Sequence, residues 1–508
     1  MTNTYINTTV ETTAVGVDTF DMTGSNDTLF LASTGSLVAL GAGSIGLQMA
    51  GQDEFATIDG TVYSAEGDGV FMFGGYGSSL IVNGEVSSGI EGIEVSDDAD
   101  TVIVNGAVNG NTGIYLEGQG DSVAVAGTVS GADVGIAANG YGDIIHVNGS
   151  VEAASEGGAV GIELDGSQAE QIDISAKGDV FGATDGIYVQ QSSGDSIKNG
   201  GHVSGDTEGV DIAGSSTLTL INDGTISGLA LNDSTDIAVQ NSGSISTESG
   251  PVAISLTNQS ADVTIENSGT VHGNLNVDSA SDQLSVQNNG NWNGQLDIGT
   301  VSSSVTNTGS ISGGISFGSA TTSSVGNVVD NDGTIHDGVS FSGSSGPASG
   351  DTLVNAGSIF GAVSMGVNEM LTNTGTIHGN VYFATANGTP SSDVFDNSNG
   401  IVIGSIYGGS GNDTFVIGLG SNTYYLSGVG DHFYFDASFG NDVINGFKTG
   451  PGHDTIAFSG GDFTSYAELQ THMTEVGTNT VITLEPGSTI ELHGINMVHL
   501  SAADFTFG

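Results

Sequence analysis

The sequence predicts an all-β fold: a parallel β-helix (β-solenoid) of about sixteen coils, followed by a short β-roll and a small C-terminal domain. Three observations carry this. Glycine supplies 84 of the 508 residues. Short units reading Gly-x-Val or Gly-x-Ile recur from Gly60 to Gly400, at a mean spacing of about 23 residues, the length of one solenoid coil. Between them, apolar residues alternate with period 2, the mark of half-buried strands.

The Gly106 coil shows the division. Gly106-Ala107-Val108, Gly113-Ile114-Tyr115-Leu116 and Ser122-Val123-Ala124-Val125 are separated by Gly, Asn and Asp turns. Three strands per coil place Val, Ile and Leu inside and Ser, Thr, Asp and Asn outside. Such an interior is a stack of small aliphatic side chains, in keeping with an aromatic content of only 6%. In the later coils an Asn stands two residues before the lead glycine: Asn222, Asn241, Asn267, Asn288, Asn307, Asn331, Asn355 and Asn373. A side chain at one register position in every coil can hydrogen-bond its neighbours above and below. Pro251, Pro347 and Pro390 fall in longer units. Proline cannot donate to a ladder, so each is expected in a loop that bulges from the coil.

Charge sets the class of partner. Fifty-eight Asp and Glu face three Lys and no Arg, for a formal net charge of −55. No basic surface exists to replace phosphate counterions, which excludes nucleic-acid binding, and the charge opposes docking on anionic membranes. No stretch reaches the length of an apolar membrane helix, so no membrane insertion is expected. The segment from Met1 to Val15 lacks the basic and apolar regions of a secretory signal peptide. With zero Cys, disulfides and thiolate metal sites are impossible. Carboxylates without protein cations point to a solution cation, with Ca²⁺ the leading candidate because it is a hard ion that prefers oxygen.

One segment has the chemistry for it. Gly408-Gly409-Ser410-Gly411-Asn412-Asp413-Thr414-Phe415-Val416 fits Gly-Gly-x-Gly-x-Asp-x-apolar-x, a Ca²⁺-binding nonapeptide. Its glycines permit a tight turn that exposes carbonyls, Asp413 brings an anionic oxygen, and Phe415 anchors the strand. Nine residues make half a coil, so the same edge recurs eighteen residues on, at Gly428, Gly430 and Asp431. Asn422-Thr423-Tyr424 lies on the opposite edge. Weaker turns follow at Asp442 and Asp454, where the alternative reading is an Asx-turn cap that binds no ion. Near the N-terminus, Asp18 and Asp27 stand nine apart in similar turns, for which a solenoid cap is the simpler reading. The expected metal ligands are therefore Gly408, Gly409, Ser410, Gly411, Asp413, Gly428, Gly430, Asp431, Asp442 and Asp454.

These features resemble the C-terminus of RTX (hemolysin-type Ca²⁺-binding) proteins exported by type I secretion. Beyond the nonapeptide the resemblance rests on Gly440-Asn-Asp-Val-Ile-Asn-Gly-Phe447, His453-Asp-Thr-Ile-Ala-Phe458 and the acidic-aromatic tail Asp504-Phe505-Thr506-Phe507. Between them stand a short helix at 466–473 and strands at 480–484 and 488–494. It implies a Ca²⁺-dependent β-roll, an uncleaved C-terminal export signal and an extracellular location, although one full nonapeptide is few for the family. The middle of the chain is similar to β-helical adhesin repeats in architecture alone. The domains expected are 1–45, an N-terminal strand segment and cap; 46–404, the β-helix; 405–460, the β-roll; and 461–508, the secretion signal domain.

Enzymatic readings are weaker. Polysaccharide lyases on β-helices use Arg or Lys beside a carboxylate, and this chain has no Arg. The run Ser96-Asp97-Asp98-Ala99-Asp100 could supply paired carboxylates for glycoside hydrolysis, but it lacks basic neighbours and reads as a solvated turn. His272, His336 and His378 share one position after the lead glycine. At about 4.8 Å per coil they lie too far apart for one ion at metal–nitrogen bonds near 2 Å.

The function expected from sequence is thus a non-enzymatic, secreted, Ca²⁺-dependent structural protein. It would assemble with itself as a surface-layer, filament, matrix or adhesin subunit. Its other expected partners are a type I exporter and cell-surface polysaccharide. The alternatives are a polysaccharide-modifying enzyme on the same scaffold and an ice- or glycan-binding module.

Overall fold

A computed structural model describes all residues except 156, 248–249, 279–280, 300–301, 319–325, 342–349, 385–390, 437–438, 460, 462 and 485–486. Pro347 and Pro390 lie outside the described residues, and Pro251 occupies an exposed bend. The fold is an all-β parallel solenoid of about 19 turns with almost no helix. The chain divides into two compact units, Met1–Gly273 and Asn274–Gly508.

In the first unit, one strand per coil builds a continuous parallel sheet. It runs from Asn3–Ile6, paired in register with Thr28–Leu31, to Thr235–Asn241, paired with Ala261–Asn267. Alternate residues face in, as Leu80 and Val82, Val102 and Val104, and Val123 and Val125 do, all essentially inaccessible. The other two strands of a coil, such as Glu85–Ser88 and Glu91–Val95 after Ser79–Val82, join a second sheet. In the Gly106 coil the two expected strands run together as Ala107–Leu116, with the register shift at the corner between Gly110 and Thr112. The solenoid begins at Asn3, ahead of the first Gly-x-Val unit, and continues past Gly400, so sixteen coils was an undercount. Those outer coils use other turn sequences, such as Gly24-Ser25-Asn26-Asp27.

The lead glycines have a steric cause. A Cβ on Gly127 would lie 2.0 Å from the Gly106 carbonyl oxygen, and one on Gly106 equally close to that of Gly84. Successive coils approach backbone to backbone at this corner, and no side chain fits.

The second unit repeats the plan from Asp282–Asn288 to Thr455–Phe458, again with parallel partners such as Val328–Asn331 on Thr352–Asn355. Its interior departs from the aliphatic expectation. Phe317 and Phe341 stack at 5.1 Å, and Phe415 and Phe433 at 4.9 Å, with Tyr424 edge-on to both. The last coils end differently from the first. Asn441–Asn445 pairs parallel with Thr489–His493, which continues antiparallel to Asn479–Thr483 and on to Met473–Val476. The helical turn forms at Tyr466–Leu469, followed by a 3₁₀ turn to His472. Phe505–Phe507 docks parallel on Thr455–Phe458, so the acidic-aromatic tail is part of the sheet, with Asp504 fully buried.

The asparagine column forms as a hydrogen-bonded ladder. In the first unit Asn199, Asn222, Asn241 and Asn267 are linked Nδ2 to Oδ1 at 2.7–2.8 Å. In the second, Asn288, Asn307, Asn331, Asn355, Asn373 and Asn397 are linked likewise. Asn199 and Asn397 extend the series read from sequence. Asn397 stands three residues before its glycine rather than two, and so escapes the motif.

Candidate metal centre

The coil turn follows one plan, in which a buried polar residue stands directly before a strand. A left-handed residue comes immediately ahead of Asn327, Asp351, Glu369 and Asp431, and a positive-φ glycine two residues ahead of Asp413 and Asp454. Strand register aligns these polar residues into a column. In the second unit it reads Asn327, Asp351, Glu369, Asp393, Asp413, Asp431 and Asp454. Each is essentially inaccessible to solvent.

A single hydrogen bond repeats along the acidic part. The Glu369 amide donates to Asp393 Oδ1 at 2.9 Å, the Asp393 amide to Asp413 at 3.0 Å, the Asp413 amide to Asp431 at 3.0 Å, and the Asp431 amide to Asp454 at 3.0 Å. Each carboxylate thus has one oxygen held by the amide of the coil before it. The other oxygen fares unequally. Asp393 Oδ2 accepts from the Ser391 hydroxyl at 2.8 Å, whereas Asp413 Oδ2 is buried without a partner. Asp454 is satisfied at both oxygens, by the Gly430 and Asp431 amides at one and the Lys448 amide at the other. It closes the column as a cap.

Burial drives the electrostatics. Asp413 is pushed up to about 8, mainly by desolvation and also by the charges of Asp393 and Asp431. Asp431 rises to about 7, through desolvation and then Asp454. Glu369 rises to about 9 by desolvation, with Asp351 and Asp393 adding to it. A column of carboxylates at one coil spacing must take up protons or cations, since like charges so close disfavour ionisation. The donor set fits Ca²⁺: hard oxygens, an unpartnered buried Asp413 oxygen, and a glycine turn beside it.

The sequence-predicted residues separate on this geometry. Asp413 and Asp431 sit one coil apart on one edge, eighteen residues apart in the chain. Gly411 and Gly428 face each other across the same step, where a Cβ on Gly428 would lie 2.5 Å from the Gly411 carbonyl oxygen. The Gly409 carbonyl accepts from the Ser427 hydroxyl, and Gly408 donates to the Tyr425 carbonyl at 2.9 Å. Ser410 is half-buried in this turn. Gly430, at φ +86°, directs its amide to Asp454. Asp442 does not join the column. It lies on the opposite edge, its Oδ1 accepting the Asn422 amide at 2.9 Å and its Oδ2 buried without a partner, and burial lifts it to about 7.

Some residues were read otherwise from sequence. Asp100 is not in a solvated turn: it is 1% exposed, while Asp98 in the same run is exposed. Register decides which acid faces inward, and local composition does not reveal register. Among the described residues, the one place where three carboxylates bring oxygens within 4.8 Å of one another is Asp68, Glu91 and Glu94, all half-buried. Glu91 and Glu94 are both pushed to about 7, by desolvation first and Asp68 next. His336 and His378 stack on opposite sides of Phe360, at 5.5 and 4.3 Å between ring centroids. The intervening ring rules out a shared ion.

No protein-family model matches the chain, and no curated protein does. Among solved structures it is similar to the extracellular lipase LipA from Serratia marcescens, at 15% identity and a TM-score of 0.16, over 39% of this chain and 40% of that one. The chain thus matches less than half the length of that protein, and a likeness this slight carries no argument about fold or activity.

Proposed function

We propose that the protein is a secreted, Ca²⁺-dependent extracellular structural protein, its second unit completed by Ca²⁺ in the Asp413–Asp431 step. The observation that carries this reading is the buried, unpartnered Asp413 Oδ2 within a column of acids, in a chain with three lysines and no arginine. Ions neutralise such a column and add their binding energy to folding. In a Ca²⁺-poor compartment the repelling acids hold the segment loose, which suits export through a narrow channel. The tail Phe505–Phe507 is a strand of the folded sheet, so an exporter would read it before folding.

Assembly is the next level of the reading. The first coil, Asn3–Ile6 and Thr9–Thr12, pairs on one side with Thr28–Leu31 and Ser36–Ala39. Among the described residues no strand pairs with its other edge, which makes it a template for a strand of another copy. Tyr5, Phe30 and Phe55 are partly exposed around a cavity of about 420 Å³ at this end. A glycan-binding role is the second reading, favoured by the outward stack of Tyr382, Tyr407 and Tyr425 at 4.8–4.9 Å.

Circular dichroism and light scattering of the full chain, in chelator and in millimolar Ca²⁺, test the proposal. Ca²⁺ should complete the β signal and raise the mass above the 50.7 kDa monomer. A β signal already complete in chelator defeats the Ca²⁺ reading, and a monomer in Ca²⁺ defeats the assembly. Retention of a Tyr407→Ala variant on insoluble polysaccharide at wild-type level defeats the glycan reading.

A further inference from the structure

The first unit carries its own acid column at the corresponding point of the coil, in a region with no nonapeptide. It reads Asp27, Glu54, Ser78, Asp100, Asp121, Asp143, Glu170 and Asp195, aligned by strand register. The Asp100 amide donates to Asp121 Oδ1 at 2.8 Å, the Asp121 amide to Asp143 Oδ1 at 2.9 Å, and the Asp143 amide to Glu170 at 2.8 Å. A left-handed residue precedes each aspartate: Ala99 at φ 60°, Gly120 at 72° and Gly142 at 74°. The same turn and the same hydrogen bond give these side chains one orientation. Their second oxygens, Asp100 Oδ2, Asp121 Oδ2 and Asp143 Oδ2, are all buried and all without a partner. These residues are at most 1% exposed. Among the described residues, no ion pair reaches any of them.

We propose that Asp100, Asp121 and Asp143 form a second cation-binding column, holding Ca²⁺-sized divalent ions between successive coils. Equivalent oxygens in adjacent coils repeat at the strand spacing of about 4.8 Å. An ion bonded to oxygen at about 2.3–2.6 Å can reach two oxygens that far apart, as Ca²⁺ does. Mg²⁺, with bonds near 2.0–2.1 Å, cannot span them. The backbone rise of the solenoid thus selects the ion by size. Ser78 shows that the fold does not itself require an acid here. Its hydroxyl accepts the Glu54 amide and donates to the Gly51 carbonyl, each at 3.3 Å, and leaves nothing over. A serine would serve the turn in the next three coils as well, so the carboxylates there supply what a hydroxyl cannot, a charge for a cation.

The proposal stands on residues separate from Asp413 and Asp431, so the two can fail independently. Equilibrium dialysis of the full chain with radiolabelled Ca²⁺ counts bound ions in the wild type, in Asp121→Asn/Asp143→Asn and in Asp413→Asn/Asp431→Asn. Asparagine keeps the acceptor for the backbone amide and removes the charge. The first variant should lose bound ions relative to wild type, and the second should still bind Ca²⁺, with excess Mg²⁺ competing poorly. Should the asparagine pair not fold, Asp121→Ser/Asp143→Ser reproduces the Ser78 turn and should show the same loss. Unchanged stoichiometry in the folded first-unit variant overturns the proposal. So does an absence of Ca²⁺ binding by Asp413→Asn/Asp431→Asn. A protonated-carboxyl infrared band at neutral pH in saturating Ca²⁺, abolished by Asp121→Asn/Asp143→Asn, would also overturn it, because protons would then fill the column.

Discussion

Two buried polar columns run through the coils, and they solve the same problem unequally. In the asparagine ladder of the second unit every Nδ2 from Asn288 to Asn373 reaches the next Oδ1, and the unpartnered Nδ2 of Asn397 marks the end. In the acid column of the first unit an unpartnered oxygen recurs in coil after coil, at Asp100, Asp121, Asp143, Glu170 and Asp195. An amide carries donor and acceptor together, so stacked copies satisfy one another. A carboxylate only accepts, so a stack of them needs something from outside. The first column is a closed structural device, and the second is open to solution chemistry.

The largest effect should come from turning one column into the other. Asn331→Asp places an unpaired charge in the ladder between Asn307 and Asn355, at a cost of about 3 kcal/mol or more. Denaturant melts should show the loss in chelator, with Ca²⁺ failing to restore it.

Next in size is the pH response in chelator. Asp413 at about 8 and Asp431 at about 7 are both raised above the unfolded value, so the folded state holds protons that the unfolded chain releases. Their contribution is fully present below the unfolded pKa of about 4 and is lost as pH rises through 7 to 8. The melting temperature without Ca²⁺ should therefore fall from pH 5 to pH 9. In saturating Ca²⁺ the trend should reverse, because the ion binds the ionised form. A flat profile in chelator would place both groups in solvent.

Asp413→Asn sharpens the contrast further. It should raise the Ca²⁺ midpoint about tenfold or more, as expected for one lost charged ligand worth over 1.4 kcal/mol, while raising the melting temperature in chelator. Asp454→Ala should move that midpoint less, since backbone amides already hold both its oxygens. It should instead lower stability by about 1–3 kcal/mol through the orphaned amides. The smallest shift should come from Asp442→Asn, which lies off the column.

Much of this was legible in the sequence, for definite reasons. The lead glycines are forced by backbone contact between coils, and the asparagines by identity at a fixed offset, so both repeat in the letters themselves. The acid column is less regular. Ser78 interrupts its chemistry, Glu54 and Glu170 lengthen the acid, and successive members stand 18 to 27 residues apart. Only the pairing of strands shows that Asp100, Asp121 and Asp143 share a position with Glu54. A local signal existed, an acid directly after a left-handed residue and two before an inward Val or Ile, as in Gly120-Asp121-Ser122-Val123. Asp413 was found by another route, the full nonapeptide around it, and Asp121 was passed over because no nonapeptide surrounds it.

The left-handed residue ahead of each member of the first-unit column, from Asn26 to Gly194, has one more consequence. It fixes the phase of those turns locally, so that column stays aligned although the step from Asp100 to Asp121 takes 21 residues and that from Asp143 to Glu170 takes 27. Position along the solenoid is therefore addressed by geometry rather than by counting residues. A foreign peptide spliced into the loop of a long coil would be carried outward at a known height, with that column undisturbed. The first unit is in this sense a graduated scaffold, on which cargo can be mounted at intervals of one coil.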